Sequence, residues 1–154
     1  AATLQKIDTS SVLFFLGILL AVAALQEIGQ LKSLAQILND SLGNIYAINV
    51  AIGLLSSIID NVPLVAAAQG MYDIAPAGEF TANGHFWQFL AYCAGTGGSC
   101  LIIGSAAGVA LMGQSKGYYT FVSHLKWIWA IALGYAASIL VHLWINSALF
   151  DVPI

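Results

Sequence analysis

Residues 56–73 read SSIIDNVPLVAAAQGMYD. An acid and an amide, Asp60 and Asn61, stand between two apolar arms, and Pro63 follows two residues after the amide. A carboxylate inside an apolar stretch is costly, so its presence points to binding or proton transfer. Proline donates no backbone N–H and disfavours helix at the residue before it, so the Asp60–Pro63 tip is expected to break the helix and end the first arm. The first arm, NIYAINVAIGLLSSII, covers 44–59, and the second, VPLVAAAQGMY, covers 62–72. Neither reaches the ~20 residues that cross a hydrocarbon core. Two short apolar arms around a polar tip predict a re-entrant hairpin over 44–73, entering and leaving on one side. Irregular backbone at that depth survives only where protein or a watery cavity satisfies it.

The rest of the chain agrees with a membrane setting. Of 154 residues, 60% are hydrophobic and 7% charged, against about 25% charged in soluble domains. So little polar surface cannot face water all round, and the fold expected is an all-α integral membrane protein. The net charge is −3, with four lysines and no arginine. That excludes the basic footprint nucleic acid requires. Cys93 and Cys100 make neither a disulfide framework nor a zinc site and read as small buried apolar residues. The sequence starts without Met and lacks the layout of a signal peptide, so a processed chain or part of a longer protein is expected.

Working outward from the hairpin, residues 10–29 form a first span. Residues 30–41 form an amphipathic interfacial helix, with Leu31, Leu34, Ala35 and Leu38 on one face and Lys32, Ser33, Gln36 and Asn39 on the other. A polar loop covers 73–85. Residues 86–113 form one broken span, with GTGGS at 95–99 as the interruption, so Gly95, Gly97 and Gly98 are expected helix breakers. A loop over 114–126 leads to a last span over 127–149, whose Trp127, Trp129 and Trp144 suit interfacial belts. The whole of 1–154 is read as a single membrane domain.

This topology places Lys6, Lys116 and Lys126 on one side with Asp8, and Glu27, Asp40, Asp73, Glu79 and Asp151 on the other with Lys32. The lysine-rich side is expected to be cytoplasmic, which puts the 114–126 loop inside and the C-terminus outside. An even number of crossings within 44–73 preserves this asymmetry, and arm length selects the hairpin.

The two breaks bring together Ser56, Ser57, Asp60 and Asn61 from the first and Thr96 and Ser99 from the second. These are carboxylate, amide and hydroxyl oxygens, a set for a hard cation, to which broken helices add free carbonyls. Asp60, Asn61, Thr96 and Ser99 are the expected metal ligands for Na+. Plainer roles compete: Asp60 as a helix cap, and Ser56 and Ser57 bonded to carbonyls behind them. GTGGS lacks the following lysine of a phosphate loop. An aspartyl protease would need two acids, and Asp73 lies at a membrane edge. His85 and His124 fall in loops and His142 in a span; His124, on the lysine-rich side, could sense pH near neutrality, but a solvated loop histidine is expected there. Nothing here points to an enzyme or to a cofactor beyond transported Na+ or Li+ and H+.

The motif at 56–73, together with GTGGSCLIIGSAAGVALMG at 95–113, resembles the C-terminal half of NhaD-type sodium/proton antiporters. These belong to the ion transporter superfamily, which also holds arsenite pumps and dicarboxylate carriers. The DN pair followed by VP is shared with arsenite-pump relatives, whereas GMYD and GTGGS favour the antiporter. The resemblance implies two inverted repeats, each with a re-entrant hairpin, an interfacial helix and a discontinuous helix, assembled as a homodimer with scaffold and mobile parts. By it, Asp60, Asn61, Ser56, Thr96 and Ser99 belong to the cation and proton site. The chain covers one repeat, so its partner would be the N-terminal repeat of the same transporter. The expected function is sodium (or lithium)/proton antiport across a bacterial inner membrane. The alternatives are an arsenite or dicarboxylate carrier and a non-transporting membrane subunit.

Overall fold

The computed structural model describes residues 9–115 and 117–150. Lys6, Asp8, Lys116 and Asp151, which entered the charge argument, lie outside the described residues. Among those described, the regular structure is entirely helical. In chain order the helices are α1 (Thr9–Glu27), α2 (Gln30–Leu42), α3 (Ile45–Leu55), α4 (Asn61–Met71), α5 (His85–Gly97), α6 (Ala106–Gln114), α7 (Phe121–Leu125) and α8 (Ile128–Phe150).

Glycines bound α2. Gly29 adopts φ 76° before it, and Gly43 adopts φ 60° after it and returns its N–H to Asn39 O. Glycine reaches this left-handed region without the Cβ clash other residues meet. Leu31 and Ala35 are buried, and α2 packs against α1, α3 and α4. Leu34, expected on the same face, is 41% exposed.

The stretch around Asp60 forms two separate helices of 11 residues each. At ~1.5 Å per residue each is ~16 Å long, about half a hydrocarbon core. Asn44 caps α3 by accepting from Tyr46 N at 2.7 Å. The first arm then unwinds through tighter turns, with Ser57 N on Leu54 O at 3.1 Å and Ile58 N on Leu55 O at 3.0 Å. Pro63 does not terminate this arm. It is the third residue of α4, in a first turn whose N–H groups have no partner within the helix. Its fixed φ suits the start of the second helix, which corrects its expected role as a breaker.

The second interruption also moves. Gly95, Thr96 and Gly97 lie inside α5, and the break runs over 98–105, from Gly98 to the α6 cap Ser105. Glycine permits a break but does not impose one. Here Thr96 Oγ1 donates to Tyr92 O at 2.7 Å within the helix, and the last turn is pressed against α3. A Cβ on Gly97 would stand 1.9 Å from Gly53 O, and one on Gly53 would stand 2.7 Å from Cys93 O. These glycines let two helix backbones touch. The backbone outlier falls later, at Ile102, with φ 62°. A β-branched residue there carries strain of about 1–3 kcal/mol.

The 114–126 stretch contains α7, closed by a reciprocal cap between Thr120 and Ser123, so it is more than a loop. Within α8, Ile128–Ser147 is the one described helix long and apolar enough to cross a membrane. One buried cluster joins Ala35, Ile48, Ile52, Leu64, Ala68, Phe86 and Leu90 from α2 to α5. A second joins Phe89, Cys93, Cys100, Tyr135 and Ile139 under α8, with both cysteines as free thiols. His85, expected in the polar loop, opens α5 and is buried between Tyr46 and Phe89.

Candidate site where two helix breaks meet

The turn over 56–60 and the break over 98–105 touch. Gly104 N donates to Ser57 O at 2.9 Å. A Cβ on Gly104 would stand 1.9 Å from Ser56 O, and one on Gly98 would stand 3.0 Å from Asn61 Oδ1. Only residues without side chains allow this approach.

Ser56 sits at the centre, fully buried. Its hydroxyl lies 2.7 Å from Ala94 O, in the last turns of α5, and within hydrogen-bonding distance of the Asn61 amide oxygen. A hydroxyl has one proton, so it cannot donate to both. Donation to Ala94 O leaves Ser56 Oγ an acceptor. A half-turn of the Asn61 amide then presents NH2 to Ser56 and turns the amide oxygen outward. Each arrangement satisfies Ser56, and the second frees an oxygen for a ligand.

Asp60 is half-buried and caps α4, accepting from Val62 N at 3.0 Å through one carboxylate oxygen. Ser57 is buried and donates to Leu54 O at 2.6 Å, the local bond expected of a serine ending a helix. Thr96 spends its proton on Tyr92 O. Ser99 is exposed in the break, and its carbonyl faces His124. Among the described residues, Ser56 and Asn61 are joined directly, whereas no hydrogen bond joins the side chains of Thr96 or Ser99 to them.

The end charges of the helices add a pattern. The C-terminal ends of α3 and α5 carry partial negative charge toward the junction, and the opposing N-termini of α4 and α6 are capped by Asp60 and Ser105. Capping occupies donors and leaves carbonyls. The junction can therefore offer oxygens to a small cation, and Asp60, next to Asn61 in sequence, holds its carboxylate at the start of α4.

Three participants escaped the sequence reading. The Ala94 carbonyl carries no sequence signal. Gly104 stands in IIGS, where a small residue amid large ones hints at close approach. His124, expected to be solvated, is 4% exposed. Its Nε2 lies on the Ser99 and Cys100 carbonyls, and its Nδ1 pairs with the Tyr119 hydroxyl.

Residues 1–90 match the sequence model of the family described as "Citrate transporter" (CitMHS). The chain is also similar to curated proteins. It is 48% identical over 97% of its length to sodium/proton antiporter 1 of Arabidopsis thaliana, covering 25% of that protein. It is 43% identical over 96% of its length to the Na(+)/H(+) antiporter NhaD of Alkalimonas amylolytica and 42% over 96% to that of Vibrio cholerae, covering 29% of each. These proteins are transporters, not enzymes, and the chain spans between a quarter and a third of their length. No solved structure matches it.

Proposed function

The chain belongs to the citrate transporter family, and from that premise we propose that it is one repeat of a multi-pass sodium (or lithium)/proton antiporter. The observation that carries the reading is the contact of the two breaks at Ser56 and Gly104, with Asp60 beside it. Asn61, Ser56 and backbone carbonyls replace water around a dehydrated cation. Asp60 supplies the charge that makes dehydration worthwhile, and a proton on the same carboxylate discharges it, so cation and proton alternate. Thr96 and Ser99 join the site if their hydroxyls swing away from their present positions. The 44–73 segment is re-entrant and α2 lies in the interface. The break over 98–105 interrupts one discontinuous span, and an N-terminal repeat of inverted topology completes the site in a homodimer. The setting is a bacterial inner membrane, with 114–126 cytoplasmic and the C-terminus outward.

The family description favours a second reading, carriage of an organic anion such as citrate. Against it, Asp60 places negative charge at the junction and the helix N-termini there are already capped.

The test uses the full-length transporter that contains this chain. Asn caps helices as well as Asp does, so Asp60→Asn keeps the α4 cap and removes the charge. Sodium-induced dissipation of a pH gradient, followed across a pH series, should be abolished. Exchange at the wild-type rate with an unchanged pH profile would reduce Asp60 to a cap. Citrate uptake that survives in the variant would favour the anion carrier.

A further inference from the structure

Two cavities border α4 and share Val65 and Gln69. One, of about 380 Å3 between α1 and α4, begins at Asn61 and is walled by Leu19, Val62 and Ala66. The other, of about 520 Å3 between α4 and α5, ends at Tyr72 and Asp73, with Ala91 and Trp87 on its wall. Together they groove the surface of α4 from Asn61, at the start of the helix, to Tyr72 and Asp73 at the 73–85 loop. We propose that this groove is the route by which the cation reaches Asn61, with Gln69 as a way-station between the mouth at Asp73 and the site. The proposal rests on the cation-site reading above.

Polar residues mark the route. The sequence of α4, NVPLVAAAQGM, is apolar except for Asn61 and Gln69. An amide two turns from the site, exposed and facing the groove, is a costly choice in an apolar setting unless it meets water or an ion. Eight residues of helix span ~12 Å, so Gln69 breaks the passage into steps that a partly hydrated ion can take. The walls near it are small, Val65, Ala66 and Ala91, and either cavity exceeds the ~30 Å3 share of one water many times. At the mouth, the Asp73 carboxylate is 85% exposed and meets Lys32 only at 3.7 Å. Such a loose exposed pair is weak and leaves the carboxylate able to attract cations. A Gln oxygen can face the passing ion while its NH2 holds water.

The full-length transporter carrying Gln69→Cys, with native cysteines replaced, is treated with a membrane-impermeant cationic thiol reagent. Reaction is expected from the side of the Asp73 loop, slowed by sodium. In parallel, Gln69→Leu should raise half-saturating sodium about three- to tenfold, the worth of one neutral polar contact, with maximal rate nearly unchanged, and Gln69→Glu should restore it. Reaction only from the opposite face, no reaction from either, or an unaltered sodium dependence in Gln69→Leu would overturn the route. If any of these occurs while Asp60→Asn abolishes exchange, the route alone fails. If Asp60→Asn still exchanges and sodium gives no protection, the cation site fails with it.

Discussion

His124 holds the carbonyl of Ser99, with its Nε2 at 3.1 Å from that oxygen and 3.2 Å from the oxygen of Cys100. Carbonyls only accept, so Nε2 carries a proton, while Nδ1 pairs with the Tyr119 hydroxyl. A side chain from α7 thereby satisfies two carbonyls just beyond α5, where the chain has no helical partner for them.

His124→Ala should lower the thermal midpoint of the detergent-solubilised transporter, by an amount corresponding to about 1–3 kcal/mol for the buried Cys100 carbonyl left without a donor. His124→Gln keeps a donor of similar reach and should recover much of the loss. Equal midpoints for His124→Ala and wild type would mean that water serves these carbonyls as well.

The contact of α3 and α5 separates two glycines in one motif. Gly97→Ala places a methyl 1.9 Å from Gly53 O, whereas Gly95→Ala meets nothing within 4 Å. The first should destabilise by about 1–3 kcal/mol through overpacking. The second should be neutral or stabilise by up to ~1 kcal/mol through helix propensity. Thermal unfolding of the two variants side by side checks both, and equal effects would deny the close approach.

Ser56 and Ser57 differ in reach. Ser56 bonds across to Ala94 O, 38 residues away in sequence, and meets Asn61, whereas Ser57 bonds only to Leu54 O. Ser56→Ala should raise the apparent sodium requirement several-fold, since one neutral bond contributes about 0.5–1.5 kcal/mol net. Ser57→Ala should leave sodium dependence near wild type. The reverse order would move the site toward α3.

Sidedness can be read with two exposed positions. Gln114→Cys and Glu79→Cys should react with an impermeant thiol reagent from opposite faces of the membrane, Gln114→Cys from the lysine-rich side. Lys32 Nζ lies 3.7 Å from an Asp73 carboxylate oxygen, so the end of α2 nearest α1 stands beside the start of the 73–85 loop. Reaction of both from one face would require an odd number of crossings between them to be abandoned.

What could be read from sequence followed the range of the forces involved. Helical periodicity is local, so Leu31 and Ala35 marked the buried side of α2, and the apolar runs marked α1, α3, α4 and α8. Breaks were harder. GTGGS looked like an interruption because glycine weakens helices, but helix–helix packing at Gly97 and Gly53 turns the same residues into spacers, and the chain breaks three residues later than expected. Pro63 was misjudged for a related reason: proline suits a first turn as well as it ends a helix. His124 was beyond reach. The carbonyls it meets lie 24 and 25 residues upstream, and nothing in its own neighbourhood indicates that α7 folds back onto the break.

The contact between Gly104 and Ser57 also imposes an order on synthesis. Ser56 and Asn61 leave the ribosome well before Ala94, Gly98 and Gly104, the residues that close around them. At about 5–20 residues per second, the tip waits on the order of seconds. During that interval its hydroxyl, amide and carboxylate must be kept wet or held by the insertion machinery, because lipid offers them nothing. A substitution at Gly104 would therefore act first on biogenesis: the nascent hairpin would find no lid, and the loss would register as degraded protein before any change in ion affinity could be measured.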